Sequence, residues 1–314
     1  MSAAVERLRA GGLVAMPTET VYGLAALARV ADAVARVFTL KGRPNSNPLI
    51  VHASTPEMAR GCCSAWPGAA DRLARAFWPG PLTLVLPKAA WVPDIVTAGG
   101  PTVAVRVPRH PLAIALIEAV GEPLVAPSAN RSGYVSPTTA DHVRDAFGEA
   151  DVLVLDGGPC EVGLESTVVA VGDDVLHVLR PGVIGQEELS RVVGMPVLLA
   201  TESAGPVASP GRIGPHYQPR TRVVLVRTDA ELRDALATGP TAVLTWPGEA
   251  LEVRSPHRSR AMPGQAEAYA RALYAALREA DAWRAGQIVV CVPVGHGAVW
   301  DAVRERLARA AAGR

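Results

Sequence analysis

The sequence predicts an α/β protein in two unequal units: an open, twisted, mixed sheet, then a smaller parallel α/β unit. Three observations predict this. Before residue 200, short apolar runs and amphipathic helical stretches are mixed with irregular spacing, which suits a mixed sheet better than a strict doubly wound one. Residues 205–221 hold four Pro, three Gly and no acid in 17 positions. Such a stretch excludes helix and central strand, and it is assigned to a linker over 201–221. Beyond it, apolar runs at 223–226, 242–245 and 288–292 alternate with helical stretches, which reads as parallel pairing. The units are therefore expected at 1–200 and 222–314.

In chain order, a charged helix is expected over 3–10 and a strand over 12–16. Val30, Val34, Val37 and Phe38 recur at helical spacing, so 30–41 is read as a helix. Lys41 falls in its last turn, with Gly42 as its stop and Pro44 just beyond. Strands follow over 48–52, 82–87, 103–107, 123–126, 152–155, 166–171 and 175–179. Helices are expected near 68–77, 111–119, 138–147 and 186–193. The Ser136-Pro137 pair reads as an N-cap with Pro at N1 of the 138–147 helix. The second unit adds helices over 229–237, 263–281 and 298–311.

The bulk numbers exclude several classes. With 49% hydrophobic and 19% charged residues, the 314-residue chain can bury a sizeable core. A net charge of +1 gives no global basic field, so any RNA contact would be local. Cys62, Cys63, Cys160 and Cys291 form no zinc spacing and read as reduced thiols of a cytosolic protein. No signal-peptide core and no apolar run of membrane length occurs. A cytoplasmic protein without membrane contact is expected. No Walker A, G-x-G-x-x-G or H-E-x-x-H motif is present, and no protein-held metal is expected.

The chemistry-bearing residues are concentrated instead. Only Lys41 and Lys88 are lysines and only Asn45, Asn47 and Asn130 are asparagines, yet Lys41, Asn45 and Asn47 share the stretch Lys41–His52. A chain that otherwise uses Arg keeps an ammonium here beside Arg43, a pairing suited to a polyphosphate. Helix-stop chemistry explains Lys41, Gly42 and Pro44, but not Arg43, Asn47 and His52. Thr18, Glu19 and Thr20 follow the first strand, where α/β folds collect ligands, although turn and cap chemistry explains this segment alone better. Arg106 sits mid-strand among apolar residues and needs an anion, either a structural carboxylate or a substrate one. The loop Pro127–Gly133 offers hydroxyls, an amide and Gly for phosphate. Leu164–Val169 and Leu179–Val183 add hydroxyls and Arg180 at strand ends. Arg212, His216, Tyr217 and Arg220 are more chemistry than a spacer needs, so the linker can lie across a phosphate site.

The motif order PTETVYGL, KGRPNSNPLIVH, TVAVRVP, PSANRSG, ESTVV and LRPGVIG resembles the Sua5/YrdC/YwlC family of threonylcarbamoyl-AMP synthases over roughly 10–185. The Pro-rich linker with His216-Tyr217 and the small second unit resemble the longer, Sua5-type branch. The resemblance implies a YrdC-like sheet with a large cleft. It implies a nucleotidyltransferase that makes threonylcarbamoyl-AMP and pyrophosphate from L-threonine, bicarbonate or CO₂, and ATP, with Mg²⁺ carried by the ATP. The product would pass to a tRNA threonylcarbamoyl transferase complex for t⁶A at position 37. A weak, local tRNA contact is also compatible with it.

Position by position, the resemblance assigns ATP to Lys41, Arg43, Asn47, Thr102, Ser128, Asn130, Ser136, Arg180 and Tyr217. It assigns L-threonine to Thr20, His52, Arg106, the Ala126 backbone and Ser166. Lys41, Arg43 and His52 are the candidate catalytic residues, with His52 in an acid/base or orienting role. The linker departs from the family pattern, since Ser209-Pro-Gly is followed by Arg212 where many relatives carry Lys. Two rivals remain at this point: a carbamoyltransferase using carbamoyl phosphate, and an RNA-binding module. The first lacks its usual C-x-x-C modules here, and the net charge disfavours the second.

Overall fold

The structure is a computed structural model and describes residues 1–148, 151–200, 216–246 and 253–313. Most of the linker, 201–215 with Arg212, lies outside the described residues.

The first unit carries ten strands: β1 Val14–Met16, β2 Gly23–Leu27, β3 Ile50–His52, β4 Leu82–Pro87, β5 Thr102–Arg106, β6 Leu124–Val125, β7 Leu153–Val154, β8 Thr167–Val171, β9 Leu176–Arg180 and β10 Val197–Leu199. They form one sheet in the order β10-β9-β8-β4-β5-β3-β6-β2-β1-β7. Its pairings mix parallel (β3 with β5, β4 with β8) and antiparallel (β4 with β5, β2 with β6). The predicted mixed sheet is observed. Its helices are α1 Ser2–Arg9, α2 Ala31–Lys41, α3 Pro56–Arg60, α4 Gly68–Phe77, α5 Asp94–Thr97, α6 Pro111–Val120, α7 Ala140–Phe147 and α8 Gln186–Val193.

The second unit holds β11 Val223–Val226, α9 Asp229–Leu236, β12 Thr241–Thr245, β13 Arg258–Ala261, α10 Ala266–Ala282, β14 Gln287–Cys291 and α11 Ala298–Ala311. Its four strands run parallel in the order β11-β14-β12-β13.

Two local expectations resolve in instructive ways. Helix α2 ends at Lys41, and Gly42 takes φ +64°, a left-handed stop. Ser136, by contrast, is not the cap of α7. Thr139 is the N-cap, and its hydroxyl accepts the His142 backbone N–H. The Ser136 hydroxyl is used elsewhere.

The two units share buried packing. Val21, Val135 and Leu164 of the first lie in one apolar cluster with Tyr269, Leu273, Tyr274 and Leu277 of α10. That continuity sets α10 and α11 against the loops at one end of the large sheet, where the polar residues converge.

Candidate active site

A cleft opens among the ends of β1, β3, β5 and β6, the loops after them, and the described end of the linker. Thr20, Arg43, His52, Arg106, Ala126, Ser128, Asn130, Ser136, Arg180 and Tyr217 all line it. Lys41, Asn47, Thr102 and Ser166 stand outside that lining. Tyr134 and Glu165 also line it, and nothing in the sequence singles them out.

Register places the first group. Strand β3 pairs in parallel with β5, so His52 lies beside Arg106. The Arg106 guanidinium reaches Glu19, with Nη2 and Oε1 2.8 Å apart, and both side chains are at most 4% exposed. Neither of these two atoms has hydrogen-bond geometry, so the attraction is Coulombic. Arg106 Nε donates to the Gly80 carbonyl at 3.2 Å, and the Arg109 backbone N–H donates to Glu19 Oε2 at 3.0 Å. The anion that Arg106 requires is thus a structural carboxylate. Nη1 enters no described hydrogen bond. His52 places Nδ1 3.3 Å from the Ile50 carbonyl. Burial first, then the Arg106 charge, lowers its pKa to about 3, so the ring is neutral near pH 7. Thr20 shares a 2.8 Å hydroxyl contact with Thr18, which caps the turn by donating to the Val21 carbonyl at 2.6 Å.

The second group is cationic. Arg43 folds back on its own loop, donating from Nη2 to Asn47 Oδ1 at 2.7 Å and to the Pro48 carbonyl at 2.9 Å. Asn47 therefore orients Arg43. Arg180 donates from Nε to the Ser166 carbonyl at 3.1 Å and from Nη2 to Ser166 Oγ at 3.1 Å. Ser166 Oγ also lies 2.7 Å from Thr83 Oγ1. It is fully buried and braces Arg180. Burial, then the neighbouring Arg180 charge, lowers Arg43 to about 10, and burial also lowers Arg180. Arg43 remains charged near neutrality.

Lys41 differs from expectation. Its ammonium is buried and donates to the Ser128 carbonyl at 2.5 Å and the Asn130 carbonyl at 2.6 Å. Burial, then Arg43, lowers its pKa well below the ordinary lysine value. A protonated or a neutral amine can donate both bonds. Lys41 thus staples the end of α2 to the 127–133 loop. Asn130 spends its amide N–H groups on the Arg131 and Tyr134 carbonyls at 2.7 and 2.9 Å, so it shapes the loop rather than offering neutral donors. The Ala126 N–H donates to Ile50 at 3.1 Å, so a ligand contact there would use the carbonyl. Thr102 opens β5, at the far end from Arg106.

Among the described residues, Glu165 is the one carboxylate of the lining. It accepts from Ser136 Oγ at 2.6 Å, Tyr274 OH at 2.8 Å and Arg306 Nε at 3.0 Å. Burial acts to raise its pKa, but Arg306, Arg180 and the hydrogen bonds outweigh that and hold it at about 2. Tyr217 takes φ +63° and stacks on Tyr274 at 5.5 Å. Among the described residues no cluster of three or more His, Cys, Asp or Glu is placed to hold a metal ion. No described helix is long and apolar enough to cross a membrane.

An open mixed sheet, covered at one end by a second unit over a guanidinium-lined cleft, defines an α/β protein built for a small anionic ligand. A Sua5/YciO/YrdC family model, described as telomere recombination, matches residues 6–182, and one described as threonylcarbamoyl-AMP synthase, C-terminal domain, matches 184–312. The chain belongs to this family. It is 39% identical to the threonylcarbamoyl-AMP synthase of Bacillus subtilis over 319 residues, covering 98% of this chain and 91% of that one. It is 45% identical to the Pyrococcus abyssi synthase over 222 residues, covering 70% of this chain and 65% of that relative. The crystal structure of P. abyssi Sua5 complexed with L-threonine superposes with a TM-score of 0.89 at 36% identity, covering 99% of this chain and 93% of that one.

Proposed function

We propose that the chain is a threonylcarbamoyl-AMP synthase, joining L-threonine, bicarbonate or CO₂, and ATP, with release of pyrophosphate. The observation that carries this is the meeting of two residue groups in one cleft: neutral His52 beside Arg106, and the guanidiniums of half-buried Arg43 and buried Arg180.

In this reading Arg106 Nη1 takes the threonine carboxylate, while Glu19 holds the far edge of the guanidinium. Thr20, His52 and the Ala126 carbonyl orient the rest of the amino acid, and Ser166 acts through Arg180. A histidine with a pKa near 3 is a weak base, so His52 orients rather than carries a proton. The neutral threonine amine adds to CO₂ through its nitrogen lone pair and gives up one proton to water, leaving a carbamate anion. A carbamate oxygen attacks the α-phosphorus, the α–β P–O bond breaks, and its electron pair leaves with pyrophosphate. Arg43 and Arg180 stabilise the charge that builds on the leaving group. Asn47 orients Arg43, and Lys41 with Asn130 holds the loop that presents Ser128. Ser136 and Tyr217 complete the nucleotide side, which Thr102, outside the lining at the far end of β5, does not reach. Holding the reactants in line in an enclosed cleft supplies much of the acceleration, without a covalent enzyme intermediate.

Mg²⁺ enters with ATP as part of that substrate. Glu165, already engaged by three donors, is not free to ligate it. The division into 1–200, a linker over 201–221 and 222–314 belongs to the same reading, as do a cytoplasmic location and transfer of the product to a tRNA threonylcarbamoyl transferase system.

The test is pyrophosphate release from ATP and bicarbonate with and without L-threonine, with mass detection of the mixed anhydride. Release that depends on both threonine and bicarbonate is expected. Release indifferent to threonine, or none from folded protein with Mg²⁺ present, overturns the reading.

A further inference from the structure

The second unit reaches the cleft through one buried chain of contacts. Arg306 on α11 is fully buried, and its Nε donates to Glu165 Oε2 at 3.0 Å. Tyr274 on α10 donates to the same oxygen at 2.8 Å. The other oxygen, Oε1, accepts the Ser136 hydroxyl at 2.6 Å. A parallel aromatic path exists. The Arg306 guanidinium lies 5.3 Å from the Tyr217 ring centroid, and Tyr217 stacks on Tyr274 at 5.5 Å with 23° between planes. Ser136, Glu165 and Tyr217 line the cleft, whereas Arg306 and Tyr274 stand behind them.

The energetics of such a chain are one-sided. A buried carboxylate without its cation is costly, so Glu165 depends on Arg306 to stay ionised in this position. An ionised carboxylate can only accept, which forces the Ser136 hydroxyl to donate to it. The serine oxygen's lone pairs are then what a ligand meets, and its rotamer is fixed. Loss of either donor from the second unit leaves Oε2 short of a partner, so the carboxylate is no longer fixed and the Ser136 hydroxyl loses its fixed acceptor.

We propose that Arg306 and Tyr274 are positioning residues for the nucleotide side of the cleft, acting through Glu165 on Ser136 and through ring contact on Tyr217. The second unit is then part of the nucleotide site rather than an appendage. This rests on the synthase reading for the assignment of Ser136 to nucleotide.

The experiment is a double-mutant cycle on the full chain, read by calorimetric binding of α,β-methylene ATP and, separately, of L-threonine. Tyr274→Phe keeps the ring stack and removes one hydroxyl, so it preserves packing where Arg306→Met risks unfolding. Tyr274→Phe is expected to weaken the analogue about tenfold and to leave threonine affinity within about twofold. Combined with Ser136→Ala, it is expected to add nothing to the loss from Ser136→Ala alone, because both act on one hydroxyl. A merely structural role would lower the melting temperature and give additive effects. Unchanged analogue affinity in folded Tyr274→Phe, or additivity in the cycle, overturns the proposal. Threonine-dependent pyrophosphate release by the wild type reports on the synthase reading independently of the cycle. An additive cycle with release intact sinks the positioning role alone. A non-additive cycle without release sinks the synthase reading alone. A wild type that binds no analogue sinks both.

Discussion

The Lys41 side-chain nitrogen sits 2.5 Å from the Ser128 carbonyl and 2.6 Å from that of Asn130, so the lysine whose rarity suggests a phosphate ligand instead holds the 127–133 loop from behind. Removing it leaves two carbonyl acceptors short of a donor. Lys41→Met is expected to cut threonine-dependent pyrophosphate release by roughly 10–100-fold, the loss associated with leaving buried acceptors unsatisfied at about 1–3 kcal/mol. Lys41→Arg should not rescue it, because a planar fork does not replace a compact ammonium between two close carbonyls. Steady-state release assays on the three proteins check this. Full activity in Lys41→Arg would show that charge alone matters there.

Arg106 and Glu19 form a buried ion pair at the end of β5, on the side of the cleft proposed for threonine. Arg106→Lys removes the fork, so it is expected to weaken L-threonine by roughly 10–100-fold while analogue binding changes less than about threefold. Glu19→Ala strands the guanidinium in a buried site and should cost about 3–5 kcal/mol of stability. Calorimetry and urea denaturation separate the two effects. Equal loss of both ligands in Arg106→Lys would place Arg106 in general packing instead.

How much of this is legible in the sequence depends on the range of the interaction. The α2 stop at Lys41-Gly42 is local and readable. So is the strand carrying Arg106, from its alternation. Strand β2, Gly23–Leu27, is not, because its Gly-Leu-Ala-Ala-Leu stretch lacks the β-branched residues that mark a strand. Strand β13, Arg258–Ala261, is polar along its length and gives no apolar signal. Ser136-Pro137 reads as a cap because Ser before Pro is ordinary cap chemistry. Tertiary contact takes its hydroxyl to Glu165, 29 residues away. Arg306 and Tyr274 lie 141 and 109 residues from Glu165, and no local pattern encodes such a pairing. Arg43 with Asn47 and Arg180 with Ser166 stand out as residues, but which of each pair faces the cleft is decided by the folded chain.

Acid sensitivity follows from His52 and Glu165. Burial and Arg106 lower His52 from 6.5 to about 3, so the unfolded chain binds more protons between those values and stability falls as pH drops through that window. From pH 7.5 to 4.5 this group removes about 3 kcal/mol. His142, lowered to about 4 by burial and Arg278, acts in the same direction. Glu165, held at about 2 against 4.5, stabilises the fold above pH 4.5, and that contribution is lost below it as pH falls through 2. Urea midpoints of wild type and His52→Gln across pH 4.5–7.5 test the His52 share. The variant should show a shallower fall over this range. Parallel curves would mean that His52 takes up its proton in the native state as readily as in the unfolded chain.

The two units approach closely at Gly163. Its φ is +76°, and a Cβ there would lie 2.5 Å from Arg271 Cα and 2.8 Å from the Ala270 carbonyl oxygen on α10. Both are backbone atoms of a helix that cannot yield alone. Gly121, at φ +81°, would have nothing within 4 Å of an added Cβ, so it carries the backbone cost without the clash. Gly121→Ala is expected to lose about 1 kcal/mol, and Gly163→Ala about 2–4 kcal/mol because overpacking adds to the same strain. Glu165 is two residues on from Gly163, so the second variant should also weaken α,β-methylene ATP binding, which Gly121→Ala should leave alone. Urea melts and calorimetry on the two variants measure both quantities. Equal destabilisation with equal ligand affinity would mean that α10 can move away from the 161–165 loop without disturbing the cleft.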